Sequence, residues 1–443
     1  MVMLYDAYGR EIRQTAVRTP LEQGQYYAQT VTSRSYAGNG LTATGLTSIL
    51  READDGQPQR LQDLFDDMED RDTHLMDVLQ KRCLTVVGRG LRVMPAESGA
   101  RGKQVAEFCQ ELIDEIPGFE DAMLALLKAV YRGYSALEIV WDFSADTRVT
   151  ELRSWEPQFF IPDMKAPKSL LLLSESSPAL GEPLEPGRWV QHRFTAKSGL
   201  PVRAGLGRVL AWYYLFKQYS IKDWLDFAEL FGTPARIGYY SPNIAPEDRV
   251  VLEQAVRLFS RDLAALLPEG AKIEFPQAKS GTASVDLYER MFKLCNGEIS
   301  KAVLGQTMTS EQGDKGARSL GEVHERVELR LARFDARSLA ATLRRDLLLP
   351  AVRFQFGDVE VPQIEIDIDD LEELAGRLKA LTEMGLPVPS AYLYQRFGVP
   401  APVEGEAVVG GTAAPVARLA GRAAFTRLEA GKKKACAHWM NYL

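Results

Sequence analysis

Cysteine is scarce. Cys83, Cys109, Cys295 and Cys436 are the only four in 443 residues, and no two of them form a CxxC pair. Disulfide frameworks and zinc ribbons need close, paired spacings, so neither organises this chain, and free thiols are expected. Histidine is equally rare, with four in the chain and none at a zinc-finger spacing from a cysteine. Long apolar runs are missing: Leu170–Leu173 is the longest leucine run, against roughly 20 apolar residues for a membrane helix. Residues 1–18 mix charged with apolar residues, so no secretory leader and no membrane association is expected. A positive surplus is also absent, because 53 Lys and Arg face 60 Asp and Glu for a net charge of −7. Proteins that grip nucleic acid set surplus cations against phosphates, so tight non-specific binding is excluded.

The sequence signatures of catalysis are missing as well. No GxxxxGK[ST], GxSxG or HExxH occurs, and Gly313-Asp-Lys-Gly316 has the wrong spacing for a phosphate loop. His324 and Glu328 stand four apart on a helix pattern but have no third metal ligand nearby. His192 is isolated, and Cys295 lies on an apolar helix side as a core residue. Asp66, Asp67, Glu69, Asp70 and Asp72 cluster beside His74, and read as a solvated helix face rather than a metal site. Catalysis needs paired groups with matched pKa values, and no pair stands out. No catalytic residue, cofactor or metal is expected, and the chain is not read as an enzyme.

What is present is ordinary globular composition, 46% apolar and 26% charged. At roughly 150 residues per domain the length suggests about three domains. Residues 1–45 read as an extended polar arm, or as a frayed terminus. From Thr47 to Gly88 apolar residues recur at helical steps, including Leu61, Leu64, Phe65, Met68, Leu75 and Val78. Thr85–Gly88 and Leu91–Met94 read as a β-hairpin around Gly88 and Gly90. Residues 102–132 read as helix broken at Pro117-Gly118. Short strands are expected at 136–143, 149–155, 159–161 and 189–194, giving an α+β region over 46–205.

Residues 206–231 form the clearest long helix, apolar on more than one face and stopped by Gly232-Thr-Pro234. A helix of that kind must be covered on several sides, by its own chain or by neighbours. An insert follows, read as strand 235–240, helix 246–267 and strand 272–275. A second helix spans 285–304. Then comes Gly305–Gly316, a polar loop with three glycines. Loops of this length are functional or mobile, and an ordinary surface loop is the other reading. A helix over 317–349 ends at Pro350, and 352–356 reads as a strand. Residues 360–383 hold eight acids against two bases. A short helix is expected near 392–397, and 399–416 reads as a linker before a basic C-terminal segment.

Two stretches carry a resemblance. Trp224-Leu-Asp-Phe-Ala-Glu-Leu-Phe-Gly-Thr-Pro-Ala-Arg-Ile-Gly238 is similar to the helix-to-insert junction of the Mu-like phage portal proteins. Asn296-Gly-Glu-Ile-Ser-Lys-Ala-Val-Leu-Gly-Gln-Thr-Met-Thr309, followed by Gly321-Glu-Val-His324, resembles that family's most recognisable stretch. The likeness covers roughly 40–400, though Gly431–Leu443 does not match the family's usual ending.

The resemblance implies a portal fold of α+β class. It divides the chain into an N-terminal arm (1–45), a wing (46–205), a stem helix (206–232), a clip (233–284) and a second stem helix (285–304). A tunnel loop (305–317), a long helix with wing return (318–360) and a crown region (361–443) follow. It implies a homo-oligomeric ring of about twelve copies at one capsid vertex of the virion, assembled in the bacterial host cytoplasm. Double-stranded DNA would pass through the ring. The terminase large subunit and the capsid, scaffold and neck or tail proteins would dock on it. Gln306, Thr307, Thr309, Ser310, Glu311, Gln312 and Lys315 would face the DNA from the tunnel loop. A different structural head or neck adaptor, and less readily a packaging-associated enzyme, are the alternatives. An acidic chain suits a channel that must not trap DNA.

Overall fold

The computed structural model describes residues 3–22, 40–166, 169–232, 236–241, 243, 245–258, 264–268, 281–306, 317–368, 371–397 and 399–402. The chain divides into two compact units, Met1–Ile368 and Asp369–Leu443.

The first unit opens with β1 (Leu4–Tyr5), β2 (Glu11–Ile12) and α1 (Gln14–Val17). Three helices follow, α2 (Ala43–Asp54), α3 (Gln59–Arg71) and α4 (Thr73–Val87). After β3 (Leu91–Met94) come α5 (Ala100–Asp114), α6 (Phe119–Leu127) and α7 (Ala129–Arg132). The strands β4 (Tyr134–Asp142), β5 (Arg148–Ser154), β6 (Phe160–Pro162), β7 (Leu170–Leu172), β8 (Glu182–Pro183) and β9 (Trp189–Arg193) complete the α+β part. The long helix α8 (Gly207–Gly232) leads to β10 (Arg236–Tyr240), α9 (Pro246–Leu258) and β11 (Ala264–Pro268). Helices α10 (Gly281–Leu304), α11 (Ala317–Leu343) and α12 (Leu349–Phe356) follow, with β12 (Gln363–Ile366) closing the unit. The second unit contains α13 (Leu371–Glu383) and α14 (Ser390–Phe397).

Strand β4 organises the interior. It pairs antiparallel with β5 on one side and β9 on the other. Its side chains alternate between faces, as the pleat requires. Leu137, Ile139 and Trp141 join a core with α5, α6, α11 and α12. Tyr134 and Ala136 join a second core with α2, α3, α4, α8 and α10. Gly205 lets the entry to α8 press against the turn before β4, because a Cβ there would lie 2.5 Å from the Gly133 nitrogen and the Tyr131 oxygen.

Several elements differ from the sequence reading. The expected hairpin at 85–94 does not form: Val86 and Val87 stay helical because their side chains fill the first core. Strand β3 pairs instead with β12, far along the chain, with Leu91 opposite Ile366. The helix of the insert stops at Leu258, and Ala264–Pro268 pairs parallel with β10. The strand expected at 272–275 lies outside the described residues. Pro350 does not end the long helix. A π-turn over Arg344–Leu348 resets the backbone, and Pro350 then sits in the first turn of α12, where no amide hydrogen is needed. Residues 352–356 are accordingly helical, not a strand.

Residues 3–22 are not an extended arm. Ile12 and Val17 are buried. The Leu21 amide donates to Glu138 Oε1 at 2.7 Å, and Arg188 donates to the Thr19 carbonyl at 2.6 Å. Glu138, buried mid-strand, also accepts from Arg188 at 3.2 Å. This segment is therefore held by a buried ion pair, which composition alone does not signal.

His192 on β9 is enclosed, with Nδ1 2.9 Å from Thr342 Oγ1 of α11. Burial, then the Arg345 and Arg193 cations, push its imidazole down to about 3. It is neutral in the folded chain but titrates near 6.5 when unfolded. That stability is fully present above about pH 6.5 and is lost as pH falls toward 3, at up to about 1.4 kcal/mol per unit. Denaturant melts between pH 7 and 5 should show wild type losing more stability than His192→Gln. Equal slopes would remove His192 as the cause.

Candidate functional site

Helices α8 and α10 pack side by side, and the insert 236–268 joins their far ends. Between Arg208 and Lys222 helix α8 carries one charge, Lys217. Its Nζ lies 2.6 Å from Asp72 Oδ1, with both side chains buried, and 4.6 Å from the centre of the Phe292 ring on α10. Asp72 is the N-cap of α4 and accepts from the His74 and Leu75 amides at 3.1 Å each. His74 Nε2 lies 2.8 Å from Ser300 Oγ and 3.0 Å from the Asn296 carbonyl on α10. Burial, then Lys217, lowers the His74 pKa. One polar cluster thus ties α4, α8 and α10 together.

A second tie holds the end of α10. Arg82 on α4 donates from Nε to Asp335 Oδ2 at 2.7 Å and from Nη2 to Asp335 Oδ1 at 3.2 Å. Its remaining Nη1 donates to the Val303 carbonyl at 2.7 Å. All of this is buried. Arg82 therefore joins the last turn of α10 to α11, the two helices on either side of the polar loop. Gly305 ends α10 with φ of 71°, a left-handed cap. A Cβ there would stand 3.0 Å from Val327 Cγ1 of α11, so glycine is required both by conformation and by space.

Of the loop residues singled out from sequence, Gln306 alone is described. Thr307, Thr309, Ser310, Glu311, Gln312 and Lys315 lie outside the described residues. Gln306 is buried in the single chain, and its amide oxygen and nitrogen have no hydrogen-bond partner among the described residues. A buried group left unpaired costs about 1–3 kcal/mol.

The acidic cluster is not simply a solvated face. Asp66 and Glu69 both accept from the buried Arg132, Glu69 at 2.8 Å, and Asp72 serves the cap and Lys217. No group of three or more metal-capable side chains occurs among the described residues. Glu328 accepts from Thr85 Oγ1 at 3.1 Å, and the side chain of His324 lies outside the described residues. Cys295 is buried, as its helix face implies. Among the described residues no helix is long and apolar enough to cross a membrane.

Sequence reasoning passed over Arg82, Lys217 and Asp335. Lys217 carried a signal, a lone cation in an apolar helix. Arg82 and Asp335 carried none, being ordinary charges in mixed helices until folding brings them together.

The outer face of α8 is conspicuous. Val209, Phe216 and Trp224 recur at seven- and eight-residue steps and share one stripe. They are 45%, 40% and 38% exposed. Among the described residues each is covered only in part, Phe216 by the Trp212 ring 6.3 Å away.

The family model described as "Portal protein of Mu bacteriophage" matches residues 62–399. A protein named "Portal protein" from Escherichia phage Mu is 32% identical over 384 residues, covering 85% of this chain and 74% of its own. "Mu-like prophage FluMu protein gp29" from Haemophilus influenzae (strain ATCC 51907 / DSM 11121 / KW20 / Rd) is 29% identical over 385 residues, covering 84% and 74%. Likenesses among solved structures are remote. A chain of a native gene transfer agent virion is 14% identical with a TM-score of 0.47, covering 84% of this chain and 99% of its own. An HK97-family phage portal protein from Corynebacterium diphtheriae is 11% identical with a TM-score of 0.38, covering 76% and 97%. Scores this low carry no functional argument.

Proposed function

Because the chain belongs to the family of Mu bacteriophage portal proteins and so serves as a phage portal protein at a capsid vertex, we propose that its copies close into a ring of about twelve that conducts double-stranded DNA. The carrying observation is the set of half-exposed apolar side chains on α8, Val209, Phe216 and Trp224. Apolar side chains gathered on one exposed helix side mark interaction surfaces, and a ring would cover them with neighbours. The α8–α10 pair is the stem in this reading, with the insert 233–284 as a clip that docks the terminase large subunit during packaging and neck or tail proteins afterwards. The ring also meets capsid and scaffold proteins at the vertex. Its assembly takes place in the host cytoplasm.

DNA must slide, so the channel needs weak, exchangeable contacts rather than fixed phosphate grips. The loop 305–317 supplies them through Gln306, Thr307, Thr309, Ser310, Glu311, Gln312 and Lys315. Gln306 begins the loop, next to the Gly305 cap of α10. The Arg82 tie lies before and after the loop, so the loop can change without loosening α10 or α11. Deleting residues 307–315 should leave rings intact while packaged-genome yield falls at least tenfold. Rings lost with the deletion would make the loop an assembly element instead, and full packaging would remove it from the DNA path.

A further inference from the structure

A hollow of about 530 Å³ opens beside the π-turn that joins α11 to α12. π-turns inside helices are frequent at functional sites. Arg344 and Arg345, the first two residues of this one, both line the hollow, and Arg353 of α12 joins them. Asp358 and Glu360 supply its acidic side chains. Ala7, Ala341, Leu349, Val359 and Val361 make the remaining, apolar walls. The three cations are not equivalent. Arg345 is already committed: Nε and Nη2 donate to Asp346 at 2.7 and 2.6 Å, and Nη2 also meets the Gln191 carbonyl at 2.8 Å. Arg344 donates from Nε to the Pro362 carbonyl and from Nη2 to the Val361 carbonyl, each at 3.0 Å. Those carbonyls fix the guanidinium but leave its charge, and among the described residues no carboxylate pairs with it. Arg353 pairs with Asp358. The Arg353 side chain is 19% exposed and that of Asp358 is 77% exposed. A pair so open to water on one side is worth about 0–1 kcal/mol, so a second carboxylate can replace Asp358.

The charge balance narrows the ligand. Asp346, Asp358 and Glu360 offset the three arginines. A lining with no surplus cation has little hold on a polyanion such as a nucleic-acid backbone. It can hold one anionic group, exchanged for Asp358 and placed beside the fixed charge of Arg344. Guanidinium forks match the planar oxygen pair of a carboxylate. The apolar walls favour a ligand with an apolar body next to that charge. We propose that this hollow binds a single carboxylate, carried beside an apolar side chain in a peptide segment of a partner protein, by displacing Asp358 from Arg353. An acidic side chain and a peptide C-terminus both supply that chemistry. The site is built from one chain and does not depend on closure of a ring.

Titration calorimetry on the full-length chain tests this. The probes are acetyl-Leu-Leu with a free C-terminal carboxylate, acetyl-Leu-Glu-Leu-amide, and the neutral acetyl-Leu-Gln-Leu-amide. At least one acidic probe should bind about tenfold tighter than the neutral one, the effect of one charge-assisted hydrogen bond. The tighter of the two identifies the source, chain terminus or side chain. Arg344→Gln and Arg353→Gln should each weaken that probe about tenfold. Asp358→Asn should tighten it about threefold, because the competing carboxylate is gone. Glu360→Gln removes the same charge from the lining without freeing Arg353, and should tighten it less. Asp358 is exposed, so its variant keeps the test decisive should an arginine variant fail to fold. Equal gains from the two acidic variants would mean a general field effect and overturn the exchange. Acidic probes no tighter than the neutral one, or an Asp358→Asn protein that binds no better than wild type, would overturn the site. Displacement of the acidic probe by an equal concentration of inorganic phosphate or oligothymidylate would overturn the carboxylate assignment.

Discussion

Arg82→Ala should destabilise the first unit by about 3–5 kcal/mol, the usual effect of removing one partner of a buried ion pair. Asp335 would keep its charge in a buried place with neither Nε nor Nη2 to meet it. The Val303 carbonyl would lose its donor at the same time. Differential scanning should show the transition falling by at least about 5 °C. The pair's net worth is a separate matter. Replacing both partners with apolar residues of similar volume is often nearly neutral, so Arg82→Met with Asp335→Leu should recover most of the loss. If the single variant melted like wild type, the tie across the loop would not be a structural anchor. If the double variant were as unstable as the single one, the Val303 hydrogen bond would be the larger part.

Lys217→Met comes next in expected size, and should cost about 2–3 kcal/mol. The smaller figure follows from geometry. Asp72 loses its ammonium partner but still accepts from the His74 and Leu75 amides as the N-cap of α4. Methionine refills the volume and keeps contact with the Phe292 ring. Asp72→Asn in the same background should then restore stability, since a neutral side chain caps a helix nearly as well. Chemical denaturation of the three proteins checks this. A Lys217→Met protein of wild-type stability would mean that the ammonium contributes nothing beyond its own desolvation.

The fold was legible where pattern is local. The helices at 206–232 and 285–304 followed from apolar steps and from Gly232, β4 from alternation, and β5 and β9 as short strands. Legibility failed where partners are distant. Leu91–Met94 looked like half of a hairpin because Gly88 and Gly90 are adjacent, yet its partner is Gln363–Ile366. Pro350 looked like a terminator because proline normally is one, but the π-turn before it supplies a new first turn. Residues 3–22 looked like an arm because the buried Glu138–Arg188 pair that holds them lies more than a hundred residues away. At the candidate site, the end of α10 at Gly305 was legible from the glycine. Arg82 and Asp335 were not, since the sequence between them gives no hint that they meet.

These ties have one sense in common. Asp72, His74 and Arg82, all on or capping α4, reach α8, α10 and α11 through buried polar contacts. Buried polar groups restrict a packing to one arrangement when paired; the Arg82–Asp335 tie is, whereas at Asp72 all three donors meet Oδ1 and Oδ2 has no partner among the described residues. Under the proposed ring reading, such ties would stiffen the base of the stem while DNA moves. The net charge of −7 then argues only against gripping DNA, not against conducting it.

The most direct test of the account is an image of the purified full-length protein at moderate salt. Electron micrographs should show closed rings of about twelve copies, with a central hole and wings projecting outward. Monomers at high concentration, or open filaments without a hole, would contradict it.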